Sequence, residues 1–313
     1  MEIGLTGASG FLGRHIIDQA VAEGDRVIAF SRNPRRQIRG CVRTEPFGPG
    51  LHLNGLGAVV HLAGESIFGL WNKAKKERIF RSRVEGARWI VKAIQGSPNP
   101  PKVFVCASAV GIYGDRGEEE LTERHTIGAG EFLSEISQAW EAAAQEATVA
   151  GTRVVTIRIA LVLGTKGALA AMQPVFRLGL GGRLGKGDQW MPWVHIRDIA
   201  NIFLYAAKTD SLSGPVNGAS PNPVRNSEFT QVLGTLLNKP TFCTVPSFVL
   251  ETLLPEQSTL MLDSLRVVPE KLLASGFQFQ FPSLKEALED LIKVKTRSEQ
   301  GPDTTANYPG GTK

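Results

Sequence analysis

Seven residues near the N-terminus constrain this chain more than any others. Gly7-Ala8-Ser9-Gly10-Phe11-Leu12-Gly13 follows a short apolar run over residues 1–6. It opens a segment with apolar residues at Leu12, Ile16, Ile17, Ala20 and Val21. That spacing predicts a strand, a glycine-rich turn and a helix over 11–23, stopped by Gly24. A second apolar strand is expected over 26–30, so one strand–helix–strand unit closes within about 30 residues. In such a unit Gly7 permits the tight turn and Gly10 lets the backbone approach a pyrophosphate. Gly13 lets the helix pack closely on the strand. The helix N-terminus offers unpaired N–H groups and the positive end of its dipole to phosphate. The alternative is a glycine-rich turn that holds no ligand.

The end of the second strand discriminates between the two nicotinamide dinucleotides. An acidic residue there bonds the ribose 2′-hydroxyl and repels a 2′-phosphate. This chain carries Phe30-Ser31-Arg32-Asn33 instead. Arg32 can pair with a 2′-phosphate, Ser31 can donate a further hydrogen bond, and Arg35 and Arg36 add positive potential. NADP(H) is the expected cofactor, with a solvated loop arginine as the bland alternative. Leu62-Ala63-Gly64 ends a further strand, where small residues let a ribose lie against the backbone. Glu65 follows directly, a candidate for the cofactor site and for a carboxylate base, against a solvated or helix-capping role.

Strands are also expected over 58–62, 102–107 and 153–159, alternating with helices over 73–95 and 130–150. That alternation predicts a doubly wound parallel α/β sheet. From Gly164 the texture changes. A glycine-rich stretch, a short helix over 169–178 and a helix over 195–208 are expected, then a loop over 215–223. A helix over 226–237 follows, capped by Asn226 or Ser227, and then an interrupted helical region over 246–293. The expected domains are a nucleotide-binding unit over 1–163, to which 188–220 returns, and a smaller, mainly helical substrate-side unit over 164–293. Gly179–Gly187 is expected to form a mobile rim of the cleft between them. Residues 294–313 are polar and rich in Gly, Pro and Thr, and are expected to form a disordered tail.

Composition removes several function classes. The chain has 313 residues, 42% apolar and 21% charged, which excludes global disorder. No run of about 18 uncharged apolar residues occurs, so no membrane span is expected. The first strand starts by Ile3, leaving no room for a targeting segment in this chain. Three widely spaced cysteines, Cys41, Cys106 and Cys243, form no disulfide or zinc pattern and suit a reducing, cytoplasmic setting. No His/Cys/Asp/Glu group has metal-ligand spacing, so no metal is expected. The net charge of +5 is modest, and no nucleic-acid-binding signature accompanies the arginines.

Thr6-Gly7-Ala8-Ser9-Gly10-Phe11-Leu12-Gly13, His61-Leu62-Ala63-Gly64 and Ile112-Tyr113-Gly114 resemble the extended short-chain dehydrogenase/reductase superfamily. Ser82-Arg83-Val84, Trp140-Glu141-Ala142-Ala143, Gln189-Trp190-x-x-Trp193-Val194-His195 and Asn217-x-x-x-Pro221-Asn222-Pro223 narrow this to its atypical epimerase-family subgroup, which carries a C-terminal domain of unknown function. That subgroup is described as NADP-dependent oxidoreductases and sometimes as resembling cell-division inhibitors. The resemblance implies a Rossmann-like fold, NADP(H) as cofactor, a small carbonyl or hydroxyl substrate, and a homodimer as one possible assembly.

The resemblance to the wider superfamily implies a Tyr-x-x-x-Lys pair that performs the proton chemistry, often followed by Glu four residues on, whereas the atypical subgroup resembles this chain in lacking it. Anchoring on Glu141 puts Leu133 at the Tyr position and Ser137 at the Lys position. Ala109 falls where many relatives carry a catalytic Ser, with Ser108 one residue early. The usual machinery is therefore absent. Tyr113 and Ser108 are the substitute catalytic candidates, Ser108 also as a cofactor-binding residue that bonds the substrate or the ribose, against roles as a packed loop aromatic and a structural hydroxyl. Arg83 is a candidate for a cofactor phosphate, against a surface ion pair. His195 is expected to be structural, pinning the second unit to the first. Two readings follow: an NADP(H)-dependent oxidoreductase or epimerase with non-standard acid/base groups, or an NADP-binding regulatory scaffold.

Overall fold

The computed structural model describes residues 1–299. Seven strands form the central sheet: β1 (Glu2–Thr6), β2 (Arg26–Ser31), β3 (Cys41–Pro46), β4 (Ala58–His61), β5 (Val103–Ala109), β6 (Arg153–Ile159) and β7 (Gly214–Gly218). Their order is β7-β6-β5-β4-β1-β2-β3, and every neighbouring pair is parallel. The sequence order reverses at β1, between β2 and β4. In an open α/β sheet, ligands bind at the carboxyl ends of the strands beside such a switch point. The glycine-rich turn leaves the carboxyl end of β1.

Among the described residues ten α-helices follow in chain order: α1 (Phe11–Ala22), α2 (Lys73–Gln95), α3 (Phe132–Gln145), α4 (Ala168–Arg177), α5 (Ile196–Lys208), α6 (Asn226–Leu236), α7 (Ser247–Leu253), α8 (Thr259–Leu262), α9 (Glu270–Ala274) and α10 (Leu284–Glu299). α1 packs with α5 and α2 with α3, and these two pairs flank the sheet. A sheet covered on both faces needs apolar strands along their whole length. β4 meets that demand, since Ala58, Val59, Val60 and His61 are all fully buried. β5 does the same from Val103 to Ser108.

Several elements differ from expectation. The loop expected over 215–223 begins as β7, which lies at the sheet edge, where the N–H missing from Pro215 is tolerated. β3 carries no alternating pattern and adds to the free side of β2 as the opposite edge. The helix expected over 130–150 is α3 followed by a 3-10 turn at Glu146–Ala150. Neither Asn226 nor Ser227 caps α6. Arg225 holds the cap position without a side-chain bond, and the Asn226 carboxamide accepts from the Leu184 N–H at 2.9 Å.

The region over 246–293 is four short or medium helices tied in by small parallel pairings. Gly182–Leu184 pairs with Cys243–Val245, and Glu120–Leu121 with Arg266–Val267. The first pairing fixes the middle of the glycine-rich stretch expected as a mobile rim. α10 carries the chain to Glu299, through the start of the expected tail, and the rest of that tail lies outside the described residues.

Candidate functional site

The three glycines hold backbone against backbone. Gly7 has φ of +70°, a left-handed conformation that L side chains rarely adopt. A Cβ on Gly13 would stand 2.4 Å from the Gly7 carbonyl oxygen and 2.9 Å from the Ala8 Cα. Gly10 donates its N–H to the Gly7 carbonyl at 2.8 Å and caps α1 without any side-chain bond. The first-turn N–H groups of α1 therefore face outward with no capping side chain, beside exposed Ser9 and Gly10. Phe11 and Leu12 are half-buried against the core. The Phe11 ring packs so closely on Gly164 that a Cβ there would stand 2.2 Å from Phe11 Cζ.

Thr6 joins the carboxyl ends of β1 and β4. Its hydroxyl oxygen accepts from the Leu62 and Ala63 N–H groups, both at 3.1 Å, and lies 2.7 Å from His61 Nδ1. With two N–H groups donating to it, the hydroxyl gives its own proton to Nδ1, so the ring carries hydrogen on Nε2. Burial drives His61 down to about 3, so the ring is neutral. Gly86 of α2 makes room for it, since a Cβ there would be 3.2 Å from Nε2.

Glu65, just past Gly64, gathers cations. Its carboxylate accepts from Lys75 Nζ at 2.8 Å and lies 3.7 Å from Arg78 Nε. The Lys75 hydrogen bond, with the fields of Lys75, Arg78 and Arg32, holds Glu65 below the usual carboxylate range. Three cations thus surround one carboxylate beside the ends of β2 and β4. Ser31 turns its hydroxyl to the Asn33 N–H at 3.1 Å, and Arg32 stands exposed. The Glu65 N–H donates to Ser82 Oγ at 2.8 Å.

Arg83 donates to the Glu65 carbonyl at 2.9 Å, lies over the Trp140 ring at 5.3 Å and presses on Gly64. Burial lowers Arg83 to about 10, and among the described residues no carboxylate lies within ion-pair distance of it. The surface ion pair weighed for it is not formed.

The structure draws Ser108 and Tyr113 into one buried network. Ser108 Oγ donates to Glu141 Oε1 at 2.7 Å. Arg158 grips the same carboxylate through Nε and Nη2, both at 2.9 Å, and donates through Nη1 to the Tyr113 oxygen at 2.9 Å. The Tyr113 hydroxyl in turn reaches Asn217 Oδ1 at 2.8 Å and the Thr122 carbonyl at 3.1 Å. Tyr113 is fully buried, and that burial raises its pKa despite Arg158. Ser108 is 2% exposed. The proton role expected of these two hydroxyls is thus at odds with their placement, because both are spent inside the protein. Leu133, which the anchoring on Glu141 put at the Tyr position, packs near Trp71, Ile79 and Ile136.

His195 caps α5, accepting from the Arg197 N–H at 3.1 Å, with Nε2 3.4 Å from an Asp290 oxygen. That ties α10 to the head of α5. Trp193 is fully buried, whereas Trp190 lies between Arg225 and Arg266. The sequence reading missed Arg158, and read Asn217 as a family marker without a place in the site. The signal for Arg158 was present as a lone charge inside the apolar run Val154-Val155-Thr156-Ile157-Arg158-Ile159. Among the described residues, no group of three or more His, Cys, Asp or Glu could hold a metal ion. No helix there is long and apolar enough to cross a membrane.

A doubly wound parallel sheet with an uncapped glycine-rich turn at its switch point defines a dinucleotide-binding protein of the short-chain dehydrogenase/reductase type. Residues 3–217 match the model of the NAD dependent epimerase/dehydratase family, and residues 245–291 match a domain of unknown function, DUF1731. The chain belongs to that epimerase/dehydratase family, as an atypical extended member. It is 35% identical over 297 residues to epimerase family protein YfhF of Bacillus subtilis, covering 93% of this chain and 98% of that one. It is 35% identical over 306 residues to human epimerase family protein SDR39U1, covering 93% and 100%. The crystal structure of human SDR39U1 (isoform 2) with NADPH superposes with a TM-score of 0.86 at 32% identity, covering 94% of this chain and 99% of that one.

Proposed function

We propose that this protein binds NADP(H) and works as an NADP(H)-dependent oxidoreductase or epimerase on a small carbonyl or hydroxyl substrate. The observation that carries the cofactor reading is the cationic arc of Arg32, Lys75 and Arg78 about the single carboxylate of Glu65. No acidic residue stands at the end of β2 to receive a 2′-hydroxyl. The relative solved with NADPH supports the same reading.

The residues present fit the group. The Gly7, Gly10 and Gly13 cradle is closed to any Cβ and its helix end is uncapped, so Ser9, Phe11, Leu12 and Gly13 would offer N–H groups to the pyrophosphate, with Gly10 letting the backbone approach it. Ser31 and Arg32 would take the 2′-phosphate. Leu62, Ala63, Gly64 and Glu65 would back the ribose, and Arg83 would supply the buried positive charge beside them. The bound nicotinamide supplies hydride transfer. The protein fixes its orientation and the electrostatics around it.

Calorimetric titration with NADPH and NADH, in the wild-type protein and Arg32→Ala, tests this. The expected result is NADPH binding tighter by about 1.5–3 kcal/mol, as a charged hydrogen bond supplies, with the gap closing in the variant. Equal binding of both nucleotides, or a preference that Arg32→Ala leaves intact, overturns the NADP assignment.

A further inference from the structure

Among the described residues, eight large apolar side chains are 61–85% exposed, and all but Val149 sit on two neighbouring parts of the chain. Phe68 and Leu70 belong to the loop beyond β4. Leu178 and Leu180 follow α4, Phe242 precedes the Cys243–Val245 pairing, and Phe248 and Leu253 belong to α7, a helix that buries no residue of its own. Contacts join these parts into one surface. Gln257, just past α7, donates to the Gly69 carbonyl at 3.2 Å, between Phe68 and Leu70. At the other end of α7, a Cβ on Gly185 would stand 3.7 Å from Ser247 Cβ, beside Phe248. A Cβ on Gly179, between Leu178 and Leu180, would stand 3.8 Å from Pro240 Cγ, two residues before Phe242. The paired segments Gly182–Leu184 and Cys243–Val245 run side by side between these contacts. α6 covers one face of that ribbon, with Thr230 donating to the Gly182 carbonyl at 3.5 Å, so the exposed side chains turn to the other.

The segments that build the ribbon are cationic. Residues 164–187 carry Lys166, Arg177, Arg183 and Lys186, and residues 229–250 carry Lys239, with no acidic residue in either. Arg183, Lys186 and Lys239 are exposed. Of the acids at and after α7, Glu251 and Glu256, the second is held by Lys76. Scattered exposed apolar residues need no explanation, whereas a gathered set marks an interface.

The charge and shape of the face decide what can occupy it. A second copy docking through the same face would set cations against cations. A partner helix needs a recess, whereas these side chains stand clear of their neighbours, Phe242 at 81% exposure. A bilayer accepts apolar side chains that protrude singly, and its anionic headgroups draw the cations around them. We propose that this face docks on an anionic lipid surface, with Leu178, Leu180, Phe242 and Phe248 entering the headgroup region and Arg183, Lys186 and Lys239 held at the phosphates. Docking of this kind needs no bound cofactor.

Flotation of the full chain with phosphatidylcholine vesicles, with and without about 30% phosphatidylglycerol, tests this. Binding to the anionic vesicles is expected to be at least about tenfold stronger than to the neutral ones, and to weaken as salt rises. Phe242→Ser combined with Leu178→Ser is expected to weaken it about tenfold or more. Arg183→Glu combined with Lys186→Glu is expected to do the same. Both double variants are expected to keep the wild-type urea midpoint and NADPH affinity. Val149→Ser, which removes the exposed apolar residue outside this face, is expected to bind as wild type does. A wild type that ignores the anionic vesicles overturns the proposal. So does either double variant binding as wild type, or Val149→Ser losing as much as they do. A wild type that sediments as a dimer, split to monomers by Phe242→Ser with Leu178→Ser, also overturns it and assigns the face to contact between copies.

Discussion

Arg158 and Glu141 meet through two parallel hydrogen bonds, Nε to Oε1 and Nη2 to Oε2, each 2.9 Å long. The pair links β6 to α3 at 4% exposure for Arg158, and it anchors Ser108 on one side and Tyr113 on the other. Here the cation reaching the glutamate comes from a strand, and it serves the core.

Removing one partner of a buried ion pair leaves the other uncompensated. Arg158→Met is expected to cost about 3–5 kcal/mol of folding stability in urea denaturation. Tyr113→Phe, which leaves the ring in place, is expected to cost about 1–3 kcal/mol and to leave NADPH affinity untouched. A large loss of NADPH affinity in Tyr113→Phe would move this hydroxyl back to the cofactor.

Gly13→Ala brings a methyl group to within 2.4 Å of the Gly7 carbonyl oxygen unless the turn shifts. The expected cost is about 1–3 kcal/mol of stability, together with at least a tenfold loss of NADPH affinity. Thermal melts with and without NADPH measure both, and a variant that NADPH stabilises as well as wild type contradicts the cradle.

Gly164→Ala acts on the same turn from the opposite side, through the Phe11 ring. Displacing that ring should weaken NADPH binding although residue 164 lies about 150 positions from the turn in sequence. Calorimetry on the variant reads this directly, and unchanged affinity would show that Phe11 can move without disturbing the N–H groups of α1.

His61 makes folding sensitive to acid. Its folded pKa, about 3, lies below the ordinary value of 6.5, so the unfolded chain binds the proton more readily. The stability linked to this ring is therefore fully present above pH 6.5 and is lost as pH falls towards 3, by up to about 1.4 kcal/mol per pH unit. Urea midpoints measured between pH 7 and 4.5 should fall steeply in wild type and less steeply in His61→Asn. Parallel slopes would assign the acid sensitivity to other groups.

The parallel core was legible because its strands are continuous apolar runs and its first turn has glycines at fixed spacing. α2 is observed over the residues its apolar stripe predicts, since Val84, Ala87, Ile90, Val91 and Ile94 all face the core. β7 was not legible. Gly214-Pro215-Val216-Asn217-Gly218 reads as a turn locally, and only the unfilled edge of β6 makes it a strand. The cap of α6 failed for a related reason, because Asn226 finds a better partner in Leu184, far away in sequence. At the site, the glycines and Arg32 were readable from local pattern. The arc around Glu65 was not, since it depends on how the first turns of α2 fall beside β4. The fates of Ser108 and Tyr113 were hidden too. They are decided by Arg158 and Asn217, which reach them across strands that only the folded sheet brings together.

The last strand of the sheet sets a limit on how copies of this protein can meet. Among the described residues β3 leaves one side of its backbone without a partner, as any sheet edge does. On that edge Arg43 pairs with Glu45, and the loop leading to it adds Arg32, Arg35, Arg36 and Arg39 with no acidic residue among them. Two such edges brought side by side would bring these arginines together, a like-charge contact that disfavours extending the ladder of hydrogen bonds from one molecule into the next.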